Sequence, residues 1–287
     1  MQALDISPHL KLKNILFATD LSPAASKAFL YAAEIARQYG ATVYAVHVLH
    51  PEVYPFQLPE TWPHMAEAEE QIRENARQEM EKALQGISHE LIFREGPIWR
   101  TLSRIVNKND IDLLVIGTHG RAGVGKAVMG SVAEEIFRQA TCPVLTVGPC
   151  VSIQPGFPKL TRILYPTDFS PESLAAAPYA VSFARENHAQ LILLHCTRST
   201  QEAPDMFDRL REVLPLGAEL SYPPICIVRH GLPSDEILAV SEGRRADLIL
   251  LGVRSAGWRL AATIHLAEST AYKIVTRAIC PVLTVRG

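Results

Sequence analysis

Cysteine is scarce and odd in number: Cys142, Cys150, Cys196, Cys226 and Cys280 are the only five in 287 residues. No two form a CxxC pair, so neither a disulfide framework nor a zinc site is signalled. Such usage fits a reduced compartment, and a cytoplasmic location is expected. Long apolar runs are also missing. None reaches the ~18 residues of a membrane span, and the opening MQALDISPHLKLK has no apolar core of a secretory signal. Charge of one sign is lacking too, with a net charge of −2. That balance creates no field to recruit nucleic acid or an anionic membrane, so neither is an expected partner. What remains is globular composition, 48% hydrophobic and 20% charged, in a length that suits one large domain or two ordinary ones.

The chain repeats itself. Residues 14–23 read NILFATDLSP and residues 162–171 read RILYPTDFSP. DLLVIG at 112–117 matches DLILLG at 247–252, and CPVLTV occurs at both 142–147 and 280–285. Three segments in a shared order indicate duplication of a whole domain. The expected division is 1–148 for the first domain, 149–157 for a proline- and glycine-bearing linker, and 158–287 for the second domain.

Each half alternates strand and helix signals. In the first, NILFA is a short apolar run that reads as a buried strand. Ser22-Pro23 then supplies an N-cap and a first-turn proline, and Gly40 stands past the helix end. TVYAVHVL (42–49) is rich in β-branched residues. Residues 62–85 carry an apolar stripe at helical spacing. A strand at 89–95, a helix to about Lys108, the strand DLLVIG, a helix over 131–140 and the strand PVLTV follow. The second half is expected to hold strands at 162–165, 190–196, 224–229, 247–252 and 281–285. Its helices are expected at 171–188, 204–214, 233–243 and 268–278. Such alternation implies an α/β fold with two tandem, doubly wound, five-stranded parallel sheets. Ligands bind such sheets beyond the carboxyl ends of the strands, at the switch point between the first and fourth.

The loops at that point carry chemistry. After the fourth strand the first half reads GTHGRAGVGKAVMGS, 117–131. Its glycines let backbone approach a ligand, and the loop runs into a helix whose N–H groups and dipole favour an anion. Arg121 and Lys126 add cationic donors. The pattern is neither a Walker A loop nor GxGxxG. After the first strand comes Ala18-Thr19-Asp20, where the carboxylate suits a ribose or adenine contact and equally suits capping the next helix.

The spacing Gly117, Gly120, then nine residues to Gly130-Ser131, together with TD-[LF]-S and CPVL, resembles the nucleotide signature of universal stress proteins. The resemblance covers nearly the whole chain, twice. It implies that the first half binds an adenine nucleotide, ATP, with magnesium as its companion ion. It assigns adenine and ribose contacts to Asp20 beside Ala18 and Thr19, and an adenine contact to the backbone of Val48. Gly117 and Gly120 would approach ribose and phosphate, with Arg121 nearby. Gly130, Ser131 and Val132 would donate to the phosphates. No catalytic or metal-ligating residue is assigned.

The second half departs from this pattern. Its loop, GVRSAGWRLAATIHLAEST (252–270), puts Ser255 in place of Gly120 and Glu268 in place of Gly130. An anionic side chain there would repel phosphate, so the second copy of the site is expected to be degenerate and Asp168 to serve as turn and cap. His119 and His265 lack sequence partners for catalysis or metal binding, and Cys142 and Cys280 read as core residues.

The expected function is a cytoplasmic, ATP-binding regulatory or stress-protective protein, not an enzyme. The alternatives are a slow ATPase or phosphotransfer enzyme on the same fold and an interaction module that binds no nucleotide. The halves are expected to form an intramolecular pseudo-dimer by antiparallel pairing of 143–147 with 281–285. A further homodimer would be built on top of it.

Overall fold

A computed structural model describes residues 10–49, 84–118, 129–152, 158–197, 203–215, 217–254 and 269–287, with 70, 71, 74, 75, 77, 78 and 80–82. The first half contains β1 (Asn14–Thr19), α1 (Pro23–Tyr39), β2 (Thr42–Leu49), β3 (His89–Glu95), α2 (Ile98–Lys108), β4 (Leu113–Gly117), α3 (Ser131–Gln139) and β5 (Val144–Val147). The second contains β6 (Arg162–Pro166), α4 (Pro171–Leu174), α5 (Ala177–Glu186), β7 (Gln190–Thr197) and α6 (Ala203–Glu212), then β8 (Ile225–His230), α7 (Pro233–Arg244), β9 (Leu248–Val253), α8 (Thr270–Arg277) and β10 (Val282–Arg286). Described residues between 70 and 82 are helical, within the stretch whose apolar stripe predicts a helix.

All ten strands join one sheet in the order β3-β2-β1-β4-β5-β10-β9-β6-β7-β8. Every pairing is parallel except β5 with β10, which is antiparallel. The expected seam is therefore present, with Thr146 opposite Val282, Leu145 opposite Leu283 and Val144 opposite Thr284. The repeated sequence makes it reciprocal. Thr146 Oγ1 donates to the Val282 carbonyl at 3.0 Å and Thr284 Oγ1 donates to the Val144 carbonyl at 3.2 Å. Each final strand thus covers the other's exposed edge.

Strand alternation sends Phe17, Leu145 and Leu283 into one core layer and Leu16, Val144 and Val282 into the other. The first layer lies beneath α1 and α5, which meet across the seam where the Tyr39 and Phe183 rings stand 5.7 Å apart. The second lies beneath α2, α3, α7 and α8. Burying each such large apolar side chain stabilises by roughly 1.5–3 kcal/mol.

The repeated DL dipeptide has a structural task in each half. One Asp112 oxygen accepts the N–H groups of Lys13 and Asn14 at 2.7 and 3.0 Å, and Asp247 accepts those of Thr161 and Arg162 at 2.8 and 2.9 Å. The fourth strand of each half thereby sets the start of the first.

One expectation needs correction. The single helix expected over 171–188 is two, α4 and α5, separated by a turn at Ala175-Ala176. Pro178 explains the break: it has no N–H, and its ring would clash with the Leu174 carbonyl in a continuous helix. Leu30, 148 residues earlier, imposes no such limit, and α1 runs unbroken.

Candidate functional site

The sheet brings the ends of β1, β2 and β4 to one edge. Ala18 lies between Val46 and Ile116, one residue before Gly117, while Thr19 pairs with His47, one residue before Val48. Ala18, Thr19, Asp20, Val48 and Gly117 thus converge at the switch point.

The turn after β1 is built by its own side chains. Thr19 Oγ1 accepts the Leu21 N–H and Asp20 Oδ1 accepts the Ser22 N–H, both at 3.0 Å. Ser22 Oγ caps α1 by accepting from Ala25 at 3.2 Å. These bonds hold Leu21 at φ 62°, a left-handed conformation that costs roughly 1–2 kcal/mol for a side-chain-bearing residue. Asp20 is therefore a turn former, one of the two roles its position suggests. His47 completes the turn: its Nδ1–H donates to the Thr19 carbonyl at 2.8 Å, and it is only 3% exposed.

The same construction recurs in the second half. Thr167 Oγ1 accepts from Phe169 at 3.0 Å, Asp168 Oδ1 accepts from the Ser170 N–H and Oγ–H at 3.0 and 2.6 Å, and His195 Nδ1–H donates to the Thr167 carbonyl at 2.9 Å. Burial opposes ionisation of Asp168, but the Ser170 bonds outweigh it and hold the carboxyl below its usual range. The histidines are a feature the motif reading passed over. Their signal is the repeat itself, since His47 and His195 stand 148 residues apart, as Thr19 and Thr167 do.

The glycine-rich loop leaves β4 through Thr118, which is 1% exposed and donates its N–H to the Val147 carbonyl at 3.1 Å. It returns where the Gly130 N–H donates to the Thr118 carbonyl at 2.9 Å. Gly130 is the N-cap of α3 and supplies no side-chain cap. The first bond within the helix is from Glu134 N–H to the Gly130 carbonyl, so the N–H groups of Ser131, Val132 and Ala133 have no acceptor inside it. Gly120 and Arg121, like His119 and Lys126, lie outside the described residues, as do Ser255, His265 and Glu268.

The second half differs at each of these points. Ser269, 138 residues after Ser131, is an N-cap where Ser131 is the first helical residue; its Oγ accepts the Tyr272 N–H at 3.2 Å. Helix α8 thus satisfies part of its own N-terminus. At the corner of β6 and β7, Phe169 stacks on His195 at 4.6 Å, and the Arg209 guanidinium lies 4.2 Å from the Phe169 ring. Gly252 is pressed against the backbone of α4, which Tyr165 anchors by donating its hydroxyl to the Ser173 carbonyl at 2.7 Å.

All five cysteines are free thiols. Burial pushes Cys142, Cys196 and Cys280 up to about 11, so they are poor nucleophiles near neutral pH. Among the described residues, no cluster of His, Cys, Asp or Glu could hold a metal ion, and no helix is long and apolar enough to cross a membrane.

Comparison with known proteins matches this architecture. The family model described as the universal stress protein family fits residues 11–148 and again 159–286. A universal stress protein of Methanocaldococcus jannaschii is 32% identical over 140 residues, which is 47% of this chain and 81% of that protein. One of Mycolicibacterium smegmatis is 25% identical over 295 residues, covering 95% of this chain and 96% of its own. The crystal structure of a universal stress protein from Archaeoglobus fulgidus shares the fold, with a TM-score of 0.73 at 22% identity, over 96% of this chain and 99% of that one. One family model thus fits each half in turn, and the chain belongs to the universal stress protein family, with two of its domains in tandem.

Proposed function

We propose that the first half binds one adenine nucleotide, ATP, at the switch point between β1 and β4, and that the protein acts by binding rather than by turnover, as a regulatory or stress-protective component. The observation that carries this reading is the contrast between two helix starts. Helix α3 opens beside the switch point with a glycine N-cap, which leaves its N–H groups for an anion, whereas Ser269 caps α8. The donor set fits phosphate: N–H groups at the positive end of a nine-residue helix, Gly130 beside them. Magnesium would be held mainly by phosphate oxygens and water, the usual way it accompanies a nucleotide. Gly117 and Gly120 would let backbone approach the ribose and phosphates, with Arg121 as a cationic donor. Asp20 and the Val48 backbone would face the ribose and adenine.

Turnover would need a base or metal ligand near the terminal phosphate. Glu134, one turn into α3, pairs with Arg138 at 3.3 Å. A multiple-turnover phosphate-release assay is expected to show no dedicated hydrolysis.

The test is calorimetry with ATP, joined to mass spectrometry of nucleotide released from the purified protein. One site per chain is expected. Gly130→Glu, which copies Glu268, should abolish binding with the circular dichroism spectrum unchanged. Gly130 has φ −62°, which suits any residue, and a Cβ there would stand 3.4 Å from the Thr118 carbonyl oxygen. Two equivalent sites in the wild type, or full binding by Gly130→Glu, would sink the reading.

A further inference from the structure

The second half reaches into the first at both ends of α3. The Met129 N–H donates to the Tyr272 hydroxyl of α8 at 3.3 Å, in a buried contact. Met129 is 3% exposed and directly precedes Gly130. The point where the glycine-rich loop lands is therefore held twice, by Thr118 of its own half and by Tyr272 of the other. At the far end, Arg286 Nη2 donates to the Phe137 carbonyl in the last turn of α3, where a cation also complements the helix dipole.

The first half carries different side chains at the matching positions. By the 138-residue offset, Glu134 stands in the place of Tyr272 and is paired with Arg138. Gly148 stands in the place of Arg286. A Cβ on Gly148 would lie 3.4 Å from the Val275 carbonyl, the counterpart of the Phe137 carbonyl that Arg286 grips. The pseudo-two-fold is thus broken by the side chains at these matching positions.

We infer that Tyr272 and Arg286 are positioning residues for the first half's anion-binding helix, so that the second half is a structural part of that site. The inference rests on the nucleotide reading above. An uncapped helix start favours an anion only when its N–H groups keep a fixed aim, because preorganised donors need not reorient on binding. Tyr272 fixes the residue that leads into those donors, and Arg286 fixes the opposite end of the same rigid rod.

The test compares two single-hydroxyl deletions in the full chain. Tyr272→Phe removes the acceptor of the Met129 N–H and keeps the ring. Tyr165→Phe removes the buried hydroxyl bond to the Ser173 carbonyl, remote from α3, as a control for general stability. Tyr272→Phe is expected to weaken ATP binding about two- to tenfold, the range for one lost hydrogen bond. It should also speed amide exchange at Met129 in the ligand-free protein, measured by NMR. Tyr165→Phe should leave both unchanged. Arg286→Met should weaken binding, and Arg286→Lys should restore part of it. Wild-type affinity and wild-type Met129 exchange in Tyr272→Phe would overturn the inference, as would an equal loss in Tyr165→Phe. A wild type that binds no ATP would remove the nucleotide reading and this inference with it. Wild-type binding with an unmoved Tyr272→Phe removes the inference alone.

Discussion

Among the glycines whose surroundings the structure describes, Gly252 leaves the least room for an added methyl group. Gly252 lies in β9, at the place the first half fills with Gly117. A methyl group there would sit 2.1 Å from the Glu172 carbonyl oxygen, 2.4 Å from Ser173 Cα and 2.7 Å from the Glu172 carbonyl carbon. Relaxed contacts need ~3.5 Å, so α4 would have to retreat by roughly 1 Å or more. Helix α4 cannot retreat freely. Tyr165 donates to the Ser173 carbonyl at 2.7 Å, and the Thr167 and Ser173 hydroxyls bond at 2.9 Å. Losing these two bonds, at about 0.5–1.5 kcal/mol each, predicts a destabilisation of about 1–3 kcal/mol. Gly243→Ala in α7 is the control. Nothing lies within 4 Å of a Cβ there, and replacing this glycine in the last turn of the helix should stabilise by up to about 0.5–1 kcal/mol. Urea denaturation followed by circular dichroism measures both. A Gly252→Ala variant within ~0.5 kcal/mol of wild type would refute the reasoning, which has this glycine retained for helix packing.

Across the seam, Thr146→Val and Thr284→Val should each cost about 0.5–1.5 kcal/mol, and by similar amounts, because the two bonds are reciprocal; clearly unequal losses in urea midpoints would deny the pseudo-symmetry. The lowered carboxyl of Asp168 contributes stability that is present above the unfolded value of about 3.9 and is lost as pH falls through the folded value. The deficit of Asp168→Ala relative to wild type should therefore be larger near pH 7 than at about pH 3, and an equal deficit at both would exclude the charge as its source. Among the described cysteines, exposed Cys150 should react first with iodoacetamide near neutral pH, and Cys142 and Cys280 last, as peptide mass spectrometry would show.

The halves, the ten strands and the switch point were legible in the sequence because each is a short-range signal. A parallel strand buried on both faces must be an apolar run, and a repeated run must fold the same way twice. The edge pairing of CPVLTV with its copy was also expected, from the family resemblance together with the unpaired backbone groups that two final strands would otherwise expose. The break before Pro178 had a local signal, a proline with no N–H, that the apolar pattern around it masked. Other features had none. Whether Ser131 and Ser269 would serve as first helical residue or as N-cap depends on where each loop lands, a matter of one residue that spacing cannot fix. That Asp112 and Asp247 clamp strand starts 98 and 85 residues away follows only from strand order. The contact of Tyr272 with Met129 spans 143 residues and crosses the pseudo-two-fold. Sequence determines what each segment can become through its own periodicity and turns, whereas side chains that meet across the seam are chosen by the register of β5 on β10, which exists only once the sheet has closed.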